Sequence, residues 1–546
     1  MKFLFVKFLP RKKSKIGIFV KFYFKMKYLF FIIGLLLSNV AHSQSNSSLV
    51  EPNQNKNSLL DFGAVGDGKT NDSSAFLKAI SIVGKQSSKK ILIPNNYNFN
   101  LGNVQINFKK YDSGITFEFQ GGIISNANLI GNNTRIKADR SKIFENINLS
   151  GSFISTSDSA YPEWFGCFPN DKKIDLIDAL RNLDGVFYDI SLGTGNYYTQ
   201  KGEYMVKGLS GVSMANSRVI LETDKSNTYL FSIGKIGGTF KDRNYDYNYI
   251  KNLSLHISRK SAGVQLKGNK GIIIGAAHKP FIENIRIKQS EDFQRFKKSD
   301  LENFLSNNSK VNDANVGIEF KGDSEVTHLS NIFTLADIGI LFSEYTDIVQ
   351  VSDYMNWCGQ YGLANIYIKK SAVKSQNLLF TGTQSWNQGL YGFYSEDSNE
   401  WNTHRNNKFE NVRIEQLTKE ILQNGKVVST SIRIGKSNLV AHLIFENMIL
   451  SGASNGISIG ETTSGNIYFD KINLVPDITI KRDFAIKTKL LPPSDSYLET
   501  PLQISLKNVD LFTDSESYFE NSKNPSANRI GTERKNKFTD VLISYE

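Results

Sequence analysis

Residues Asp61 to Asp72 read DFGAVGDGKTND, and the reading of this stretch decides the fold. Gly63, Gly66 and Gly68 permit backbone angles that a Cβ would forbid, so the segment reads as a tight, irregular turn. Asp72 is placed to cap a helix carrying Ala75, Phe76, Ala79, Ile80 and Val83 on one face. Ile91-Leu92-Ile93 then reads as a short buried strand that ends at the turn Pro94-Asn95-Asn96-Tyr97.

The same order returns in degraded form a hundred residues later. Tyr161-Pro162-Glu163-Trp164-Phe165-Gly166 is followed by a loop, Cys167 to Asp171. A helix with Ile174, Leu176, Ile177, Leu180 and Leu183 on its apolar face comes next. Val186-Phe187-Tyr188 and the turn Gly193-Thr194-Gly195-Asn196-Tyr197 complete the copy. This repetition predicts a boundary near 160, with a smaller β-rich unit over 58–160 and a main body over 161–546. The alternative is one continuous helix of coils with an insertion.

From about residue 245 two strand patterns recur. One is Gly-apolar-x-apolar, as in Gly271-Ile272-Ile273-Ile274, Gly317-Ile318-Glu319-Phe320 and Gly339-Ile340-Leu341-Phe342. Starts at 317, 339, 365 and 392 differ by 22, 26 and 27 residues. The other centres on an Asn between apolar positions, at Asn252, Asn284, Asn331, Asn377, Asn411, Asn447 and Asn508. Short period-2 strands repeating at this interval, without helices, are what a β-solenoid requires. Each coil shares its inward face with its neighbours, stacked about 4.8 Å apart. No LxxLxLxxN run marks a leucine-rich repeat, and a propeller needs longer repeats. The predicted fold is therefore all-β, a parallel β-helix with an N-terminal capping helix. Residues 291–313 break the pattern, and their Leu301/Phe304/Leu305 spacing reads as a surface loop with a short helix, either a tolerated insertion or a wall of a groove.

Turn, helix and strand-Pro-Tyr in this order resemble the start of the pectate lyase superfamily, also described as rhamnogalacturonase/epimerase-like. That resemblance implies a right-handed parallel β-helix plugged by the helix, and a carbohydrate-active protein working on the outer face of its coils. Polygalacturonase-type members carry four motifs on successive coils. Here Arg286-Ile287-Lys288 and Arg135-Ile136-Lys137 match one of them, and the other three are missing beside both, so these read as solvent-facing strand residues.

The net charge of +12 is mostly leader: residues 1–50 hold nine Lys and Arg and no acid, leaving +3 for the rest. This excludes a nucleic-acid reading. Residues 1–43 read as leader and signal peptide, with Lys25 and Lys27 around a true start at Met26, an apolar run Tyr28 to Leu37, and Ala41-His42-Ser43 before the cut. A linker over 44–57 follows. The apolar run is too short for a membrane span in the mature form. The expected location is periplasmic or extracellular, at the cell surface. Cys167 and Cys358 read as separate buried thiols rather than a bridge.

Glycoside hydrolysis needs two carboxylates, one held protonated for the leaving oxygen. Asp337 follows Asn331 by six residues, and Asp353 follows Asp347 by six, which predicts two acids on neighbouring coils; Glu415 is a substitute. Aromatic residues concentrate in the same region, with three of the four tryptophans between 357 and 401. Flat rings suit sugar faces, so Trp357, Trp386 and Tyr354, with Arg405, are the expected substrate-binding residues. The reading favours hydrolysis of a complex or acidic polysaccharide over elimination. No cofactor is expected for hydrolysis, and Ca2+ for a lyase. A non-catalytic glycan-binding or scaffold β-helix is the alternative. The oligomeric state reads as monomer or homotrimer.

Overall fold

A computed structural model describes residues 57–544, apart from 112–113, 244–246, most of 290–310, 358–361, 383, 388, 401, 417–421, 424–425, 428, 453–454, 477–483, 491–501, 512–517 and 521–535. The leader and all but the last linker residue lie outside these, as does Cys358. Cys167 is free and buried, and burial pushes its thiol up to about 12.

The opening helix, α1 (Ser73–Val83), buries Ala75, Phe76, Ala79, Ile80 and Val83. Its cap differs from expectation. The Asp72 carboxylate makes no bond to the helix and instead accepts from the Val65 and Gly66 amides at 2.7 and 3.1 Å. Asn71 Oδ1 takes the Ser73 amide at 3.0 Å. The left-handed turn at Gly66 (φ 69°) and Gly68 (φ 75°) folds the loop back onto Asp72, so the acid staples the loop rather than the helix.

Asp67–Asn71, Asn98–Asn107, Ile123–Lys137 and Phe144–Ser155 stack in parallel, and Lys90–Ile93 pairs with Thr116–Phe119 beside them. A second, much larger sheet begins at Asp189–Ser191. Between the two lies α2 (Leu176–Leu183), which buries Leu176, Ile177, Ala179, Leu180 and Leu183. Here the cap is conventional: Asp175 accepts from the Ile177 amide at 2.9 Å and also holds Thr199 and the Gln200 amide at 2.8 Å. The two sheets are distinct, yet residues 57–546 form one compact unit with a shared apolar core.

The larger sheet is a parallel β-helix whose coils each contribute strands to three stacks; its right-handed sense is the one parallel crossovers adopt. One coil illustrates the plan. Thr346–Trp357 bends at Asp353, so residues up to 352 belong to the first stack and those from 354 to the second; Ala364–Ile368 then enters the third. Inside the first stack, Phe380, Phe409, Phe445 and Phe469 are register partners with ring centroids 4.9 to 5.2 Å apart. That is one strand spacing, so each ring lies on the next. The Phe-Glu-Asn motif thus resolves into Phe inward, Glu outward and Asn at the corner.

The glycine pattern marks the third stack. A Cβ on Gly271, Gly317 or Gly392 would strike Ile287, Thr334 or Ile414 of the second stack and lie 2.7 Å from the next coil's carbonyl. Glycine is therefore required where two stacks meet closely. Leu301 and Phe304 of the insertion are helical and bury themselves against Val316, Ile338, Tyr367, Tyr391 and Tyr394 on the outside of this third stack. The described residues of the insertion thus cover the third stack, a packing role beside the two expected. The last described strand, Asn536–Ser544, runs antiparallel to Gln503–Leu511.

Candidate functional site

The corner between the first and second stacks is a column of left-handed residues. Asn252, Asn284, Asn331, Asp353, Gly382, Asn411, Asn447, Lys471 and Asn508 all have φ between 51 and 64° and occupy equivalent places on successive coils. Asn tolerates this conformation because its short amide bonds locally. Here the amides also bond along the column, Asn284 to Asn252 at 2.9 Å and Asn331 to Asn284 at 2.7 Å.

This register corrects the expected acid pair. Ser330 pairs with Ser352, so the counterpart of Asp353 is Asn331, not Asp337. Asp353 is a corner residue whose Oδ1 sits 3.0 Å from where a Gly382 Cβ would be. Asp337 lies at another corner, before Ile338–Phe342, fully buried, where its carboxylate accepts from the Asn315 amide at 2.9 Å and from Asn315 Nδ2 at 3.2 Å. The two carboxylates belong to different corners and do not face one another across adjacent coils. Equal six-residue offsets misled because the first offset crosses a corner and the second runs along a strand.

Tyr354 also differs from expectation. Its ring is in the core, 1% exposed, and its hydroxyl donates to the Asn365 carbonyl at 3.1 Å, so it has no face to offer a sugar. The residue follows the corner directly, and strand alternation turns it inward. Beside it run Thr334, Asn356 and Asn365, joined by bonds of 2.7 and 3.1 Å. Arg405 is exposed but stands at the far end of the first stack, in a column with Asp347 and Gln376.

The remaining three expectations come together. Trp357, Trp386 and Glu415 are register partners on three successive coils. Trp357 is 40% exposed, on the outer face of the second stack. Glu415 is mostly buried, with Arg413 Nη2 3.6 Å from its Oε2 and, among the described residues, no hydrogen bond to that oxygen. Ser451 continues the column. Among the described residues no group of three His, Cys, Asp or Glu stands close enough to hold a metal.

A second set of aromatic residues escaped the sequence reading. Tyr249, Phe281 and His328 are register partners on the outer face of the first stack. The signal was present, since each lies three residues before a corner Asn, where strand alternation turns the side chain outward.

No family model matches the chain, and no curated protein is similar to it in sequence. Solved structures similar to it include an exopolygalacturonase from Thermotoga maritima (12% identity, 90% of this chain and 96% of that one, TM-score 0.22). The surface adhesin PfbA of Streptococcus pneumoniae is similar over 78% of this chain and 92% of its own (11% identity, TM-score 0.20). A tailspike protein of E. coli bacteriophage HK620 is similar over 82% and 65% (12% identity, TM-score 0.31). At these scores the likeness concerns the coiled architecture alone, which the strand register establishes independently.

Proposed function

We propose that this chain is an exported carbohydrate-active β-helix that binds a complex or acidic polysaccharide along the outer face of its second stack. The observation that carries the reading is the register column Trp357–Trp386–Glu415. The exposed Trp357 gives a platform for a sugar face, the register sets Trp386 one coil on, and a carboxylate at the next step can accept hydroxyl hydrogens. Binding of the chain along the helix axis follows from the column's direction.

Recognition is better supported than cleavage. Hydrolysis requires a second carboxylate roughly 5 to 9.5 Å from the first. The acids first assigned to it, Asp337 and Asp353, hold a buried amide and a corner. Glycoside hydrolysis remains the second reading because the column carries one carboxylate, Glu415, beside the Arg413 guanidinium at 3.6 Å. Export rests on the leader in residues 1–43, and no described helix is long and apolar enough to cross a membrane.

The test is incubation of the purified protein with a panel of neutral and acidic polysaccharides, measuring retention in affinity electrophoresis together with new reducing ends and absorbance of unsaturated products. Retention that falls about tenfold in Trp357→Ala supports the reading. Reducing ends abolished by Glu415→Gln would favour the hydrolase. Binding that is indifferent to Trp357 would overturn the assignment.

A further inference from the structure

A recess of about 360 Å3 opens on the outer face of the first stack, away from the tryptophan column. Its floor is the register series Tyr249, Phe281 and His328. Tyr247, 65% exposed, stands at its edge. Lys251 Nζ lies 4.7 Å from the Tyr249 ring centroid, and Lys279 Nζ lies 5.5 Å from that of Tyr247. The volume falls within the range of about 300–1000 Å3 usual for small-ligand sites.

An electrostatic feature sets this recess apart. Among the described residues neither Lys251 nor Lys279 has an ion-pair partner. The acids around them are otherwise placed. Asp189 accepts from the Tyr249 hydroxyl, and Glu325 is held by Arg243 at 2.5 Å and His278 at 3.2 Å. Glu283 follows Lys251 in register without pairing with it. Two ammonium groups therefore lie against aromatic faces with no carboxylate partner.

The rim is set by the repeat itself. Lys279 (φ 54°) and Val326 (φ 56°), between the His278–Glu325 bridge and the Phe281–His328 pair, line the recess and occupy the left-handed corner that Ile348 and Asn377 take on the following coils.

We propose that this recess binds an anionic sugar unit bearing a carboxylate or a sulfate, with its apolar face on Tyr249 and Phe281 and its anionic group on Lys251 and Lys279. The site rests on the reading of the chain as a glycan binder and adds a second contact on a different stack. Aromatic floors bind sugar faces without regard to charge; the two ammonium groups supply the selection for acidic units.

Calorimetric titration with three probes tests it: a uronate trisaccharide, its carboxyl-reduced counterpart, and a sulfated disaccharide. At least one anionic probe should bind at least about tenfold more tightly than the reduced one, and which one binds identifies carboxylate or sulfate as the group taken. The double variant Lys251→Gln/Lys279→Asn should lose about tenfold, and Tyr247→Ala should weaken all binding. Circular dichroism checks that both variants fold. Failure of both anionic probes, equal binding of the reduced probe, or an unchanged lysine variant overturns the proposal. The two readings fail separately. Polymer binding lost in Trp357→Ala but intact in the lysine variant leaves only the tryptophan column, whereas probe binding in the recess without any polymer retention leaves only the recess.

Discussion

Arg140 Nη1 lies 3.1 Å from Glu163 Oε1, joining the end of the first sheet to the start of the second. Glu163 is 2% exposed and also accepts from the Tyr197 hydroxyl at 2.6 Å, which in turn takes the Gly193 amide at 2.7 Å. Arg140 continues to the Ser191 carbonyl and hydroxyl, both at 2.9 Å, and stacks 4.1 Å over Tyr161. Glu163→Ala would leave a guanidinium and a buried hydroxyl without their acceptor. Breaking such a pair costs about 3 kcal/mol, toward the low end of the buried range because Arg140 is a third exposed. Urea unfolding of the variant with an unchanged midpoint would show that the two sheets do not depend on this contact.

At the corner column, Asn331→Ala should destabilise more than Asn331→Gly. Both lose the amide bond to Asn284, but only alanine must also hold φ near 51° against its Cβ. The expected gap is about 1 kcal/mol, read from thermal or urea unfolding. Equal losses would mean that backbone conformation does not limit this position.

Asp353 occupies the same column, so Asp353→Asn should leave stability within about 0.5 kcal/mol of the parent and leave polysaccharide binding unchanged. A loss of binding or of any cleavage with stability intact would restore this residue as a catalytic acid.

Where the stacks meet, Gly339→Ala would drive a Cβ into the Tyr354 hydroxyl and to 2.8 Å from the Asn365 carbonyl. Overpacking of this kind costs roughly 1–3 kcal/mol or more. Removing the hydroxyl in Gly339→Ala/Tyr354→Phe should recover part of the loss, an interaction energy readable from the double-mutant cycle. Strict additivity would place the clash elsewhere.

Acid sensitivity has an identifiable source. Burial lowers His404 from its ordinary 6.5 to about 4, and His256, which is also crowded by Arg218, Lys288 and Arg286, to about 3. Between pH 6.5 and these values the unfolded chain takes protons that the folded chain refuses. Stability present above pH 6.5 is thus lost as the pH falls, by up to about 1.4 kcal/mol per pH unit for each group. His404→Asn keeps a residue suited to φ 50° and removes one of the two sites. Its stability should fall less steeply between pH 6.5 and 4; an identical slope would exclude His404 as a contributor.

The plan of the fold was legible because its devices are written in single residues. Glycines 63, 66 and 68 announced the opening turn, and the Asn positions proved to be corners, each set by a local backbone demand. Register was less legible. Whether Asp337 stands beside Asp353 depends on where each strand bends, and Asp353 bears no mark separating a corner acid from an active one until its partner Asn331 is known. Tyr354 failed for the same reason: one place past the corner, alternation turns it inward. Trp357, Trp386 and Glu415 were grouped by neighbourhood in sequence, and only coil lengths of 29 residues at this level brought them into one line. Tyr249 and Phe281 lie outside the tryptophan-rich stretch, and their outward placement depends on distance from a corner, which the register alone fixes.

The reversed strand has a consequence for assembly. By pairing with Gln503–Leu511, Asn536–Ser544 occupies backbone amides and carbonyls that a forward coil left unpaired would present to another molecule as a template. On this coil, the polymerisation that such an open edge invites is discouraged.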